Sequence, residues 1–329
     1  MSKQTPILSR RSALIAGTGL IAAPAILGRA TTPAHAAAPM LGATMPEMYR
    51  FTLGDFEITT IKDGAIQLDG PHPIFGQNVE AADVQALAEE NFLPATTMEI
   101  AFTPVVVNTG ESLVVFDAGN GAARRPNAGK LGALLEAAGY TLDQVDVVVL
   151  THMHPDHIGG LMEDGAPLFP NARYVTGQAE YDFWSAEERL SGPTERVGTL
   201  VQSNVVPLAE KMSFVGDEGE VVPGIRAMAC FGHTPGHMAY HVESAGKRFL
   251  LWADLTNHYV VSLQRPDWHV RFDMDKEAAA ASRKRILDMV SADRIPASGY
   301  HMPFPAVGFV EQTSTSYRWV PVSYGAVQL

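Results

Sequence analysis

A sandwich of two β-sheets with helices on its outer faces, an α+β architecture, is the fold class this sequence predicts. Three observations carry it. Short β-branched and aromatic runs bounded by Gly, Pro, Asn and Asp recur along the chain. Segments with apolar residues at helical spacing lie between them. The order strands, helix, His-containing loop occurs twice with no linker between, which fits a duplicated two-sheet core. A length of 329 residues with 46% hydrophobic and 18% charged residues allows one large domain with a sizeable core.

The chain opens on a leader. Ser9-Arg10-Arg11-Ser12 precedes the apolar run 13–27 and a small-x-small site, Ala34-His35-Ala36, a pattern similar to a twin-arginine signal peptide. Residues 1–36 are expected to be removed, leaving 37–329 as a single domain exported in folded form to the periplasm or beyond. The apolar run of about 15 residues is shorter than the roughly 20 that span a bilayer, so no stable membrane anchor is expected after cleavage. The leader carries Lys3, Arg10, Arg11 and Arg29 and no acidic residue, so its loss takes the formal charge from -12 to about -16. Such a surface repels a polyanion, and nucleic acid is not expected as a partner. A lone Cys230 excludes an intrachain disulfide. It stands three before His233 in a strand-like run and reads as a small buried hydrophobe rather than a ligand.

Residues 37–48 read as a loose leader to the domain. Runs 51–55 and 56–61, joined at Gly54-Asp55, predict a hairpin. Pro71, Pro73 and Gly76 mark a loop, 82–90 a short helix, and 94–97 a further break. Strands follow at 103–108 and 113–116, the second running into Asp117. Leu131, Leu134, Leu135 and Ala138 keep helical spacing within 129–138, and Gly139 ends that helix. The apolar run 145–150 is a buried strand, 172–176 another. Residues 178–189 predict a helix whose Tyr181, Phe183 and Trp184 serve either the core or a pocket. Segment 190–207 gives no signal and reads as a lid or loop. Strands are predicted at 225–231, 240–243 and 248–252, and a helix at 278–290 buries Ala281, Ile286, Leu287 and Val290.

The chemistry is concentrated in residues 151–160, Thr-His-Met-His-Pro-Asp-His-Ile-Gly-Gly, directly after the buried run 145–150. His152 and His154 are two apart, so an extended segment points both imidazoles to one side, where they can share a metal ion. Pro155 and Gly159-Gly160 turn the chain, so Asp156 and His157 can face a second ion. His233, Asp254 and His301 each stand where a predicted strand gives way to a Gly- or Pro-containing loop, positions that hold ligands rigidly while leaving room for substrate.

The run resembles the His-x-His-x-Asp-His signature of the metallo-β-lactamase-fold hydrolases. That resemblance implies an αββα four-layer sandwich, with His152, His154 and His233 on one metal, Asp156, His157 and His301 on the other, and Asp254 bridging. It gives Asp117 the role of orienting a ligand histidine, although a turn-capping aspartate fits the sequence equally. The implied cofactor is two Zn2+ per chain, other divalent metals being compatible. A metal-bridging hydroxide would be the nucleophile, with Asp156 or Asp254 as catalytic proton carriers.

Further stretches, Gly54 through Thr59, Phe169-Pro170-Asn171-Ala172, Asp182-Phe183-Trp184, Gly232 through His237 and Tyr317 through Val322, look like methyl parathion hydrolase and its lactonase relatives. Loops 70–80, 120–130, 185–200 and 257–272 depart from the organophosphatase pattern. The expected function is therefore hydrolysis of a lactone or an aryl ester of a small apolar molecule. Phosphotriester cleavage is the first alternative, and a mononuclear iron oxidoreductase or a non-catalytic metal-binding module come from other classes. His154 stands where diiron oxygen reductases place a glutamate, which speaks against the iron reading. Trp184, Phe183, His258 and Phe272 are candidate substrate contacts, His258 fitting a surface position as well, and His237 reads as structural. The partner is a small ester, lactone or phosphotriester; a homodimer is compatible with the sequence, which does not fix the assembly.

Overall fold

The Val-rich segments of the first half lack polar interruptions, as strands covered on both faces require. In the computed structural model, which describes residues 39–323, they form the centre of a seven-stranded sheet. Its order is Met48–Leu53, Phe56–Ile61, Val105–Asn108, Leu113–Phe116, Val147–Val149, Arg173–Gly177 and Met212–Val215. A second seven-stranded sheet takes the other half: Glu220–Val222, Ile225–Ala229, Met238–Ser244, Lys247–Ala253, Ala297–Gly299, Val307–Gln312 and Tyr317–Pro321. The leader read at 1–36 lies outside the described residues. The chain divides into two units, Met1–Thr44 and Met45–Leu329, and the described part of the first has no helix or strand. Among the described residues no helix is long and apolar enough to cross a membrane.

Alternation along the strands sends Phe51, Ile58, Val107 and Val147 of the first sheet against Ile225, Tyr240, Phe249 and Leu251 of the second, and this forms the central core. Leu131, Leu135, Trp184 and Val201 cover the outer face of the first sheet. Ile286, Leu287 and Val290 of helix Lys276–Ala292 cover that of the second. The result is the α+β, αββα four-layer sandwich that the sequence predicts. Asp275 caps the long helix by accepting from Ala278 N at 2.9 Å.

The structure departs from the sequence reading in four places, the smallest being that Ala281 of the long helix is exposed and Ala279 takes the buried position. An additional hairpin pairs Gly64–Asp69 with Thr97–Phe102, strands 28 residues or more apart in sequence with helix Ala81–Glu90 between them. Segment 190–207 is a helix, Glu195–Asn204, whose Val197 and Val201 pack on the first core. Helix Gln178–Ser185 stops short of 189 because Ala186 turns to extended backbone before a 3-10 turn at Glu187–Leu190.

Candidate metal centre

Strand Val147–Val149 delivers Thr151 and His152 to one end of the sandwich. His154 is extended (φ -69°, ψ 155°), and Pro155 then opens a one-turn helix, Pro155–Ile158. That change of direction separates the two pairs of side chains. Ligand atoms of His152, His154, His233 and Asp254 lie within 4.8 Å of one another, and so do those of Asp156, His157 and His301. Asp254 reaches both groups: Oδ2 is 3.3 Å from His233 Nε2 and 3.0 Å from His301 Nε2, while Oδ1 is 3.2 Å from His157 Nε2.

The far side of each imidazole decides which nitrogen faces the centre. Asp117 Oδ2 accepts from His157 Nδ1 at 2.8 Å and from the Thr151 hydroxyl at 2.9 Å. With its own proton committed to Asp117, the Thr151 oxygen accepts from His152 Nδ1 at 3.1 Å. One carboxylate thus fixes the Nδ1 side of two histidines and turns both Nε2 atoms towards the centre. Asp273 Oδ1 holds His233 Nδ1 at 2.8 Å, and the Ala101 carbonyl holds His301 Nδ1 at 2.8 Å. Asp273 is itself paired with the fully buried Arg283 at 2.9 Å.

Three buried atoms, His152 Nε2, His157 Nε2 and Asp254 Oδ1, have no hydrogen-bond partner and converge on this centre. Stranding such atoms costs about 1–3 kcal/mol each, and a divalent cation satisfies all of them at once. The donor set, imidazole and carboxylate, also suits zinc.

Without an ion the electrostatics are divided. Burial pushes His154 down to about 3, and His152 is also lowered by burial and by His157. Burial opposes protonation of His233 and His301 too, but Asp254, with Asp273 at His233, outweighs it and raises both, His233 to about 9. Burial would raise the Asp254 carboxyl, yet His301 and His157 hold it well below the usual carboxylate range.

Beside the ligands lies a cavity of about 250 Å³, lined by Ile66, Leu68, Ile100 and Phe102 from the additional hairpin, by Val197 and Phe272, and by His154, Asp156, Asp254 and His301. Phe272 stands where a substrate contact was expected. Trp184 and Phe183 do not line this cavity. Trp184 is buried in the core and donates its indole N–H to Glu180 at 2.9 Å, and Phe183 packs at the edge of that core under Arg189. His258 is also displaced from the expected role: its Nδ1 accepts from Val260 N and Val261 N, burial holds it down to about 4, and it lines a neighbouring cavity with Tyr259 and His301. His237 holds the Asp254 backbone N–H through Nε2 at 3.2 Å, a structural task.

Sequence reasoning missed Asn257, which donates to Asp254 Oδ2 at 3.0 Å, and Tyr300, whose hydroxyl donates to the Asp156 carbonyl at 2.6 Å. It also missed Asp273 and the cavity residues Arg124 and Arg196. Asn257 and Tyr300 carried a signal: each stands within three residues of a ligand.

Residues 103–298 match the model of the metallo-β-lactamase superfamily. An N-acyl homoserine lactonase of Bacillus cereus is 26% identical over 202 residues, covering 58% of this chain and 73% of that protein. The structure of AidC, a dizinc quorum-quenching lactonase, superposes with a TM-score of 0.77 at 26% identity, covering 84% of this chain and 97% of AidC. The hydrolase AbOPH shares the fold, with a TM-score of 0.78 at 24% identity over 86% of this chain and all of its own. With its His/Asp cluster and its kinship to N-acyl homoserine lactonases, the chain belongs to the metallo-β-lactamase superfamily of metal-dependent hydrolases.

Proposed function

We propose that this hydrolase opens a lactone or cleaves an aryl ester of a small, largely apolar molecule, and that it does so with two divalent ions, zinc in the first instance. His152, His154 and His233 would hold one ion, Asp156, His157 and His301 the other, and Asp254 both. The observation that carries the reading is the Asp254 carboxylate, within 3.3 Å of histidines from both groups and with one oxygen left unpartnered. Ions bound there supply Lewis acidity, polarising a carbonyl oxygen and lowering the pKa of water.

The chain's own residues do the rest. Asp156 is the more open carboxylate, 16% exposed against 4% for Asp254, and faces the cavity, so it is the better carrier of a proton to the leaving oxygen. Asn257 fixes the rotation of Asp254. The wall formed by Ile66, Leu68, Ile100 and Phe102 takes the hydrocarbon part of the substrate and keeps bulk water away. The related lactonases support a lactone as the first substrate to try. Phosphotriester cleavage ranks second, because loops 70–80, 120–130, 185–200 and 257–272 depart from the organophosphatase pattern. Export to the periplasm or beyond belongs to the same reading and rests on the leader sequence alone.

Metal-analysed protein assayed side by side on an N-acyl homoserine lactone, a p-nitrophenyl ester and a dialkyl aryl phosphate tests the proposal. Turnover should be fastest on the lactone or ester with two ions per chain. No turnover on any of the three would overturn it, and a single iron per chain would return the oxidoreductase alternative.

A further inference from the structure

The cavity beside the ligands contains two cations in an acidic protein. Arg124 and Arg196 both line it, and neither pairs with a carboxylate among the described residues. The neighbouring Arg125 shows the contrast: it makes two bonds to Glu163, at 2.6 and 2.9 Å. Asp156 and Asp254 share the cavity but are engaged with the histidines.

Both arginines are held against the metal loop. Asp63 is fully buried and accepts from the backbone N–H of Asn120, Gly129, Lys130 and Leu131, which pins both ends of the loop carrying Arg124. Gly121 (φ +68°) lies so close to Gly159 that an added Cβ would be 2.2 Å from its carbonyl oxygen. The Arg124 guanidinium sits 5.8 Å from the Phe102 ring centroid on the cavity wall. Arg196 is in the first turn of helix Glu195–Asn204, where the helix dipole disfavours a cation. That helix is docked by Asn204, which donates to the carbonyls of Ile158 and Gly159 at 3.0 and 3.1 Å. Two guanidinium groups without a carboxylate partner, on two elements fastened to the same loop, thus line one cavity, half-buried at Arg124 and exposed at Arg196, where an incoming anion can meet them.

We propose that Arg124 and Arg196 select an anionic substrate, an ester or lactone whose apolar chain carries a carboxylate remote from the scissile carbonyl. The chain would lie on Leu68 and Phe102, and the carboxylate would meet the guanidinium groups. This rests on the hydrolytic reading above and narrows it.

The test compares kcat/KM of metal-loaded enzyme on the mono-p-nitrophenyl ester of glutaric acid with that on neutral p-nitrophenyl butyrate. The anionic ester should be favoured by about tenfold or more at low salt, through KM, and the ratio should shrink as salt screens the pair. In R124Q/R196Q the ratio should fall towards one. A wild-type ratio of one or less, or a ratio the double substitution leaves unchanged, would overturn the inference. If neither ester is turned over, the aryl-ester half of the hydrolytic reading fails while the lactone half stands on its own assay, and calorimetry with hexanesulfonate, an apolar anion that coordinates metals poorly, still decides the anion site. Binding by the wild type that R124Q/R196Q loses supports it; equal binding by both, or none, refutes it.

Discussion

His157 and His152 are held, directly and through Thr151, by one buried aspartate at distances of 2.8 to 3.1 Å, whereas Ile66, Leu68, Ile100 and Phe102 of the adjoining cavity wall are held by apolar and ring contacts. The ligand bed is largely buried and charged, and four of its five histidines, His152, His157, His233 and His301, are held on their outer side. The wall is a two-stranded hairpin, a loop and a helix end, with one half-buried arginine, Arg124, and one exposed, Arg196. In the first region a substitution removes a partner from a buried charge. In the second it removes area from a partly wet surface. The two should therefore fail differently, one through metal content and stability and the other through KM.

The most damaging change should be Asp254→Ala, which takes away the one carboxylate common to both groups. Turnover is expected to drop by about 10²–10⁴-fold, with metal content below two per chain by elemental analysis. Turnover within a few-fold of wild type at full loading would remove the basis for a shared ligand. Next comes a pair. Asp117→Ala frees His157 and, through Thr151, His152, so affinity at both ion positions should weaken, by about 10–100-fold. Asp273→Ala frees only His233 and should weaken one of the two. It also leaves Arg283 buried without its ion-pair partner, at a cost of about 3–5 kcal/mol, so its unfolding midpoint in denaturant should fall too. Equal loss of both ions in Asp273→Ala would show that the positions are not separable in this way.

The wall answers on a smaller scale. Phe272→Ala should raise KM on a favoured ester by about tenfold, some 1.4 kcal/mol, with kcat largely kept and metal content unchanged. Trp184→Phe, a residue of the core rather than the cavity, should leave KM alone and cost about 0.5–1.5 kcal/mol of stability by removing one of the two hydrogen bonds to Glu180 Oε1, which keeps the Met153 N–H. If Trp184→Phe moved KM and Phe272→Ala did not, the cavity would have been assigned to the wrong aromatics.

This division explains what could be read from residues alone. His152 through His157 are local, and their spacing on an extended segment carries a mechanism, so the first loop was legible. His301 and Asp254 were legible because strand ends are where a sandwich can place ligands. Asp273 was not, since its meaning depends on His233, 40 residues earlier, and on Arg283 ten later. The hairpin wall was missed although Ile66 and Leu68, and Met98, Ile100 and Phe102, alternate as strand residues should. Its two strands pair across helix Ala81–Glu90, and no turn chemistry announces the pairing. Helix Glu195–Asn204 was hidden by Gly198, Ser203 and Asn204, which dilute a stripe at Val197 and Val201. Trp184 misled for the opposite reason: an aromatic near a ligand loop in sequence serves a core as readily as a pocket.

Cys230 lies outside both regions and should show the smallest effect. It is three residues before His233, yet its side chain belongs to the core beneath the second sheet, with Leu250, Trp252 and Leu287. Burial, only partly offset by Arg285, pushes its thiol up to about 11. At pH 8 the thiolate is then about one part in a thousand, and the thiolate is both the nucleophile and the metal-binding form. Native protein should resist iodoacetamide at pH 8 and become labelled on unfolding, with labelling of the folded chain quickening only as pH approaches 11. The cobalt-substituted protein should show no sulfur-to-metal charge-transfer band, and Cys230→Ala should keep both ions. A charge-transfer band, or loss of an ion in that variant, would mean that the thiol reaches the centre and that the ligand bed is larger than the seven side chains assigned to it.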